Sequence, residues 1–422
     1  MSAALGLYRS LAGLLEPLAP ALLKRRVGEG KEDADRWAEK LGRASAPRPD
    51  GPLVWLHGVS VGESLSLLPL LERLRAARPD AAFLVTSGTV TSAEILSKRL
   101  PEGVIHQYAP LDAPRAIDRF LAHWRPDLAV LVESELWPNL IRAARRAGVK
   151  LALVSARITE RTARGWSRLP GAAKEVLGAF DLVLPQDDES AERLAKLGRA
   201  SDGRLNLKYA GDPLPYDRAR LGLLRDEAAD RPMILAASTH PGEDEIVLEA
   251  FQWLGGRIGD HPILVIVPRH PDRGAHIETL SKTLGYDTAR QGAGDAFSHD
   301  CDVYVADTLG ELGLWFRLAR VAFLGGSLKK GIGGHNPIEA TLLGAPVVSG
   351  PYVDNWAGVY GDLVHEGMAR FAPDGDQISH VWDRLLDRAP SRTDLQTRTA
   401  ALLMGRAREL NEAVARLAAL LP

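Results

Sequence analysis

The sequence predicts an α/β protein built of two Rossmann-like, doubly wound domains that face a cleft. Short apolar runs alternate with helical patterns along most of the chain. These runs are continuously apolar, as in parallel strands buried on both faces. A charged, proline-containing stretch over residues 206–232 divides the series into two halves. Together, these features indicate two successive βαβ series rather than one large sheet.

The first half contains six predicted strands separated by helix-like segments such as Leu65–Ala77 and Leu136–Ala147. The strands are Leu53–His57, Ala82–Thr86, Val104–Tyr108, Leu128–Val132, Leu151–Val154 and Leu182–Leu184. The second half contains five, each followed by a helical pattern. These are Met233–Ala237, Ile263–Val267, Val303–Val305, Val321–Leu324 and Pro346–Val348. A long Ala/Leu/Arg helix is predicted over Leu395–Leu421.

The composition is that of a globular protein and excludes several functional classes. The 422 residues are 45% hydrophobic and 25% charged, with a formal charge of -2. There is no basic excess or aromatic-basic interleaving to indicate nucleic acid. The single cysteine, Cys301, excludes an internal disulfide, and no spacing is typical of zinc ligands. Neither half has GxGxxG after its first strand, which argues against a nicotinamide or flavin enzyme.

The N-terminal residues 3–23 are rich in leucine but are interrupted by Arg9, Glu16, Pro17 and Pro20. A membrane-spanning helix usually needs about 20 mostly apolar residues, so this stretch is a poor candidate. Five leucines nevertheless share one helical face, and three basic residues follow them. The leucines are Leu7, Leu11, Leu14, Leu15 and Leu18, followed by Lys24, Arg25 and Arg26. The pattern is equally consistent with a segment resting on an anionic membrane and with a helix packed on its own domain.

Two polar segments of the first half follow predicted strands, where ligands bind in open parallel sheets. Ser60, Gly62 and Glu63 open a helix, and Glu63 is a candidate general base. The Ser60-x-x-Glu63 spacing also predicts a capping box, in which Glu63 binds only backbone. Glu133 and Glu135 come after the fourth strand and precede Trp137, an arrangement suited to sugar hydroxyls or to a simple helix start.

The second half has comparable segments at four strand ends. Their small, hydroxyl-bearing or cationic residues suit phosphate and sugar groups, although ordinary capping and surface ion pairs explain each segment singly. The candidates are Ser238, Thr239 and His240; Pro268 and Arg269; Gly310 and Glu311; and Gly333, Gly334, Asn336 and Glu339.

The segment Leu324–Ala340 joins a strand to a helix through a glycine-rich loop. Asn336 is expected to cap the helix, and Pro337 suits its first position. A helix start attracts phosphate, and glycines allow close approach. The same residues also suit a well-capped connection without a ligand, with Glu339 closing a second capping box.

Taken together, six segments resemble the Kdo transferases of Gram-negative lipopolysaccharide synthesis. They occur in order over nearly the whole chain: HGVSVGE (57–63), ESELWPN (133–139), ASTHPGEDE (237–245), VPRHPDR (267–273), DTLGEL (307–312) and GGHNPIEA (333–340). Arg36 and Glu39 match as well.

The resemblance implies a GT-B glycosyltransferase that transfers Kdo from CMP-Kdo to the lipid A precursor, with inversion and without a metal or other cofactor. It implies an acceptor-binding domain over residues 1–212, including a membrane-associating N-terminal helix, and a donor-binding domain over residues 213–422. The transfer reaction would take place at the cytoplasmic side of the inner membrane. Glu63 matches the general base. Ser60, Gly62, Glu133 and Glu135 would lie on the acceptor side, and Lys208 would join the donor-binding residues named above.

The sequence departs from the family pattern at two places. Leu205 stands where the family usually has glycine before Asn206-Leu-Lys208-Tyr209, and the N-terminal segment is unusually polar. Two other functions share the architecture: a UDP-sugar epimerase, and a binding protein that has kept the fold without the activity.

Overall fold

The computed structural model describes residues 2–209, 213–229, 231–255 and 261–422. The chain divides into two compact units, Met1–Gly211 with Gly405–Pro422, and Asp212–Met404. The boundary expected after residue 212 adjoins residues 210–212, which lie outside the described part of the chain.

The first unit contains a six-stranded parallel sheet in the order β3-β2-β1-β4-β5-β6. Its strands are β1 Leu53–His57, β2 Ala82–Ser87, β3 Ile105–Tyr108, β4 Leu128–Val132, β5 Lys150–Ala156 and β6 Leu182–Pro185. Its helices are α1 Ala3–Leu15, α2 Ala19–Gly28, α3 Val61–Ala77, α4 Val90–Arg99, α5 Pro114–Trp124, α6 Pro138–Arg146, α7 Glu160–Ser167, α8 Pro170–Leu177 and α9 Asp188–Lys196. Short 3-10 helices cover Glu16–Leu18, Trp37–Leu41 and Leu207–Tyr209.

The second unit contains a seven-stranded parallel sheet in the order β13-β12-β11-β7-β8-β10-β9. Its strands are β7 Met233–Thr239, β8 Ile263–Pro268, β9 Thr288–Arg290, β10 Val303–Val305, β11 Val321–Leu324, β12 Val347–Ser349 and β13 Ala369–Phe371. Its helices are α10 Arg218–Ala228, α11 Asp244–Gly255, α12 Gly274–Thr283, α13 Leu312–Leu318, α14 Ile338–Leu342, α15 Ala357–His365 and α16 Gly375–Arg388. Short 3-10 helices cover Pro271–Arg273 and Gln291–Ala293.

The eleven predicted strands are all confirmed, and most of them are continuously apolar runs buried on both faces of a sheet. The edge strand β3, which contains His106 and Gln107, is the exception. Strand β1 shows the packing: Leu53 and Trp55 enter the core on one face, and Val54 and Leu56 enter the core on the other. Successive side chains of a strand point to opposite faces, so both faces need helices to cover them.

The last helix, α17 Arg392–Ala418, differs from expectation in the unit to which its C-terminal part belongs. The sequence places residues 405–422 with the second half, whereas in the structure they belong to the first unit. The physical reason is apolar burial: four side chains on the last turns of α17, and one leucine beyond its end, join a core of the first sheet. They are Leu410, Ala413, Val414, Leu417 and Leu421.

The N-terminal helices pack on the first unit and still expose leucines. Leu5 and Leu23 are buried, and the Tyr8 hydroxyl donates to Asp112 at 2.9 Å. The buried Glu16 carboxylate accepts from the backbone N–H groups of Arg115 and Ala116 at 3.0 and 2.7 Å. It thereby satisfies free donors at the start of α5. In the described residues, no helix is both long and apolar enough to span a membrane.

Candidate active site

In the first unit, β1 and β4 are neighbours, and their crossovers leave in opposite directions along the sheet. Ligands of doubly wound sheets bind at such a point, beyond the carboxyl ends of the strands. The segments that carry Glu63 and Glu133 follow these two strands. The fold therefore brings both sequence-predicted acceptor-side segments to one edge.

Glu63 forms the predicted capping box with Ser60 at the start of α3. Its Oε2 accepts from the Val59 N–H at 2.7 Å, and its Oε1 accepts from the Ser60 hydroxyl at 3.0 Å. The capping interpretation is thus confirmed. It leaves one carboxylate oxygen held by a hydroxyl, which can rotate away, rather than by fixed backbone.

The electrostatics of Glu63 differ from those of an ordinary cap. Burial raises the pKa of its carboxyl, and the negative charges of Glu135 and Glu133 raise it further. The hydrogen bonds from Val59 and Ser60 act in the opposite direction, and the net pKa lies above the usual value. A carboxylate with a raised pKa accepts a proton more readily, which suits a general base.

Glu133 and Glu135 are each held by specific partners. Glu133 adopts a left-handed backbone conformation (φ 57°), and its carboxylate lies 2.9 Å from the Lys208 ammonium. Glu135 accepts from the Trp137 indole N–H and lies 3.7 Å from Nε2 of His57. The sequence groups Lys208 with the donor-binding residues; in the structure this ammonium pairs with the acceptor-side carboxylate. Gly62 is exposed beside Ser60.

In the second unit, β7 and β11 are neighbours whose crossovers leave in opposite directions. The loop after β7 carries Ser238, Thr239 and His240, and the loop after β11 carries the glycine-rich segment. Ser238 has a left-handed backbone conformation (φ 57°), a strained state for a residue with a side chain. Thr239 is fully buried, and within the described residues its hydroxyl has no hydrogen-bond partner.

Glu243, which the sequence analysis did not single out, joins these two loops. It is fully buried, and its carboxylate accepts from the backbone N–H groups of Gly326, Ser327 and Leu328 at 2.6, 2.9 and 2.9 Å. It also accepts from the His240 N–H at 3.0 Å. The carboxylate therefore occupies donors that the glycine-rich loop would otherwise offer to a ligand.

His335 was also missed, although it lies in one of the six segments. Its Nε2 is 3.0 Å from Nε2 of His240, and the two rings stack with centroids 5.2 Å apart. A side chain added at Gly326, which has φ 66°, would come within 3.0 Å of the same nitrogen. Only proximity in the fold could identify the pair, because 95 positions separate the two histidines.

Asn336 and Glu339 partly follow the expected capping. Helix α14 begins at Ile338, so Pro337 rather than Asn336 is its N-cap, and the expected helix start was one residue too early. The Asn336 side chain nevertheless accepts from the Ile338 N–H at 3.0 Å. Glu339 accepts from the Asn336 side-chain amide at 3.2 Å rather than from its backbone, which changes the second capping box. Burial raises the Glu339 pKa, and the positive charge of Arg269 opposes that effect.

The remaining donor-side candidates lie at the same strand ends. Pro268 ends β8, and the Arg269 N–H donates to the Thr239 carbonyl at 3.0 Å. Gly333 and Gly334 both have positive φ, and a side chain at Gly333 would lie 2.4 Å from Asn355. That position therefore requires glycine.

Gly310 and Glu311 follow β10. Gly310 has positive φ. The Glu311 carboxylate lies 2.8 Å from Nε of Arg220 and accepts from Gln291 and Thr308 at 2.6 and 3.0 Å. These internal partners hold the side chain in place within the second unit.

Among the described residues, no group of three or more His, Cys, Asp or Glu side chains is arranged to hold a metal ion.

Comparison with known proteins places the chain beside one family. A family model described as 3-deoxy-D-manno-octulosonic-acid transferase (kdotransferase) matches residues 35–210. A probable mitochondrial 3-deoxy-D-manno-octulosonic acid transferase of Arabidopsis thaliana is 35% identical over 83% of this chain and 80% of its own length. The transferase of Rickettsia bellii is 32% identical over 92% of each chain.

A solved glycosyltransferase from Rickettsia africae has the same fold. It covers 88% of this chain and 99% of its own, with a TM-score of 0.61 and 10% identity. The likeness confirms the predicted GT-B class, with one Rossmann-like sheet in each unit.

Proposed function

Because the chain belongs to the 3-deoxy-D-manno-octulosonic acid (Kdo) transferase family, we propose that it transfers Kdo from CMP-Kdo to a hydroxyl of the lipid A precursor. The single observation that carries the catalytic part is the environment of Glu63. Burial, Glu135 and Glu133 raise the pKa of this carboxyl, which lies at the switch point of the first sheet.

The proposed reaction is a single in-line displacement. Glu63 takes the proton of the acceptor hydroxyl while that oxygen forms a bond to the anomeric carbon of Kdo. The bond from this carbon to the phosphate oxygen breaks, and CMP leaves with the electron pair. One displacement inverts the anomeric configuration. The phosphate is already a good leaving group, so the mechanism assigns no step to a metal ion.

The donor carries a phosphate and a carboxylate, so its site needs cationic or N–H donors. The backbone donors at Gly326, Ser327 and Leu328 are occupied by Glu243. Recognition of the anion therefore falls to Arg269, His240 and the segment from Gly333 to Asn336. The buried hydroxyl of Thr239 has no hydrogen-bond partner in the described part of the chain, so it is a further group available to the donor.

The experiment that tests this function is transfer with defined substrates. Purified protein is incubated with CMP-Kdo and the lipid A precursor, with and without EDTA, and the product is analysed by mass spectrometry and by anomeric NMR. We expect addition of Kdo with inversion and an unchanged rate in EDTA. Conversion of UDP-GlcNAc to its 2-epimer, with no Kdo added to the precursor, would instead support the epimerase alternative.

We also propose that α1 rests on the cytoplasmic face of the inner membrane. Six leucines of the N-terminal segment are at least half exposed although the segment is packed on the first unit: Leu7, Leu11, Leu14, Leu15, Leu18 and Leu22. Exposed apolar residues in such number favour an apolar environment. Arg25 and Arg26 follow them, paired with Glu29 and Glu32 at 3.1 and 2.8 Å.

Replacing Leu11 and Leu14 together by glutamate should abolish binding to vesicles that contain phosphatidylglycerol. The two side chains are 50% and 75% exposed, so the folded unit should tolerate the change while the apolar face is lost. Co-sedimentation with vesicles measures the effect. The control is Leu223→Glu, since Leu223 is 67% exposed on α10 of the second unit. Equal binding of both variants and the wild type would contradict the proposed membrane contact.

A further inference from the structure

The two histidines of the second unit form an unusual contact at the carboxyl ends of β7 and β11. Their Nε2 atoms lie 3.0 Å apart, within hydrogen-bonding distance, and their rings are nearly parallel at 12°. One nitrogen must donate and the other must accept, because two N–H groups cannot face each other at this distance. The pair therefore binds at most one additional proton while the contact is kept, and it titrates as one unit.

The surrounding residues hold this pair in place. Glu243 accepts from the His240 backbone and from three N–H groups of the loop that precedes His335. The Tyr360 hydroxyl donates to the His335 carbonyl at 3.4 Å. His240 and His335 are both partly buried. The ring of His270 also lies near His240, and the centroids of these two rings are 6.1 Å apart. The contact is thus part of a fixed scaffold.

The charged neighbours favour the neutral pair in the free protein. Burial, together with His240 and Arg269, lowers the pKa of His335 to about 4. Burial also lowers the pKa of His240, and the nearby positive groups act in the same direction, while Glu243 opposes them. These positive groups come from the loop after β8: Arg269, His270 and Arg273. Glu339 of α14 interacts with the same Arg269.

We propose that His240 and His335 act together as a proton-accepting unit that becomes a shared imidazole–imidazolium cation when the anionic donor binds. The inference rests on the proposed CMP-Kdo donor and names a positioning role for His335. A phosphate beside the pair stabilises the positive charge and so raises its affinity for a proton. By linkage, the donor binds more tightly as pH falls. His335 acts through His240, whose orientation and tautomer it determines.

The test follows the histidine ring signals by NMR during pH titration, without ligand and with saturating CMP or cytidine. We expect CMP to move the titration of the pair upward by about one pH unit or more, which corresponds to tenfold tighter binding to the protonated form. Cytidine, which lacks the phosphate, should not change the pH at which the pair titrates. His106 of the first unit, whose pKa burial and the charge of Arg36 also lower to about 4, is the internal control, and its titration should not move.

A second measurement compares the affinity for CMP at pH 7 and pH 4.5 in the wild type and in His335→Gln. Because the phosphate of CMP titrates in both proteins, only the difference between them reports on the pair. We expect a severalfold gain at pH 4.5 in the wild type relative to the variant, because the pair takes up its proton only in this range. His270→Gln, which changes a neighbour of His240, should keep the wild-type dependence.

The outcomes separate this inference from the proposed function. CMP binding with an unchanged titration of the pair, or a full wild-type pH dependence in His335→Gln, would overturn the shared proton and leave the donor proposal standing. An equal shift with cytidine would overturn the role of the anion. If the protein did not bind CMP, both the donor proposal and this inference would be wrong.

Discussion

Glu63→Gln should fold and bind CMP but lose transfer by about a hundredfold or more, within the range that a positioned general base contributes. Glutamine has nearly the same shape, and its carbonyl oxygen can still accept from the Val59 N–H, which donates to Glu63 at 2.7 Å. It cannot take a proton from the acceptor hydroxyl. The rate of Kdo transfer under saturating donor and acceptor is the measurement, with CMP affinity measured alongside.

The matched control for this variant is Asp187→Ala in the same unit. Asp187 caps α9 by accepting from the Ser190 N–H at 2.7 Å, so the control loses a helix cap without losing the proposed base. It should lower the free energy of unfolding by about 1 kcal/mol and retain transfer. Near-normal transfer by a folded Glu63→Gln protein would exclude Glu63 as the base.

The raised pKa of Glu63 adds a pH dependence to the same prediction. A general base must be ionised, so the wild-type rate should fall as pH decreases through this pKa. Burial and the charges of Glu135 and Glu133 place that decrease at higher pH than an exposed glutamate would. A pH–rate profile in which the rate does not fall at low pH would indicate that another group is the base.

Glu243→Ala should lower the free energy of unfolding of the protein by about 3 kcal/mol or more, since it leaves several buried donors without an acceptor. The carboxylate accepts from the backbone N–H groups of His240, Gly326, Ser327 and Leu328. Guanidinium unfolding followed by the fluorescence of the buried Trp315 and Trp382 measures the loss.

Glu245→Ala provides the comparison for Glu243. Glu243 immediately precedes α11, and Glu245 lies in the first turn of this helix. Unlike Glu243, Glu245 has an exposed side chain. We expect its substitution to change the free energy of unfolding by no more than about 0.5 kcal/mol. Similar stability of the two variants would show that the backbone donors find other partners.

Strand positions were largely predictable because their signal is local. Central strands such as Leu128–Val132 and Val321–Leu324 have the predicted bounds, since each is a short apolar run buried on both faces. The three-residue edge strands β9 and β13 were missed. Thr288–Arg290 contains an arginine and Ala369–Phe371 is partly exposed, so neither forms an apolar run.

Predictions for individual site residues divide in the same way. The capping role of Ser60 follows from nearby sequence and is confirmed, whereas Asn336 accepts from the first helical N–H without being the N-cap of α14. The Glu133–Lys208 ion pair joins positions 75 residues apart in sequence. Residues 405–422 likewise pack against apolar side chains of the first unit that are far from them in sequence. No local pattern encodes such distances.

By itself, the sequence determined the two parallel sheets, the helix starts and the segments that lie at the carboxyl ends of the strands. These depend on apolar periodicity and capping chemistry, both of which act over a few residues. Tertiary structure alone decided which polar groups meet: Glu133 with Lys208, Glu243 with the loop after β11, and His240 with His335. The physical reason is that charge, hydrogen bonding and proton affinity depend on neighbours in space, and the order of strands in each sheet selects those neighbours.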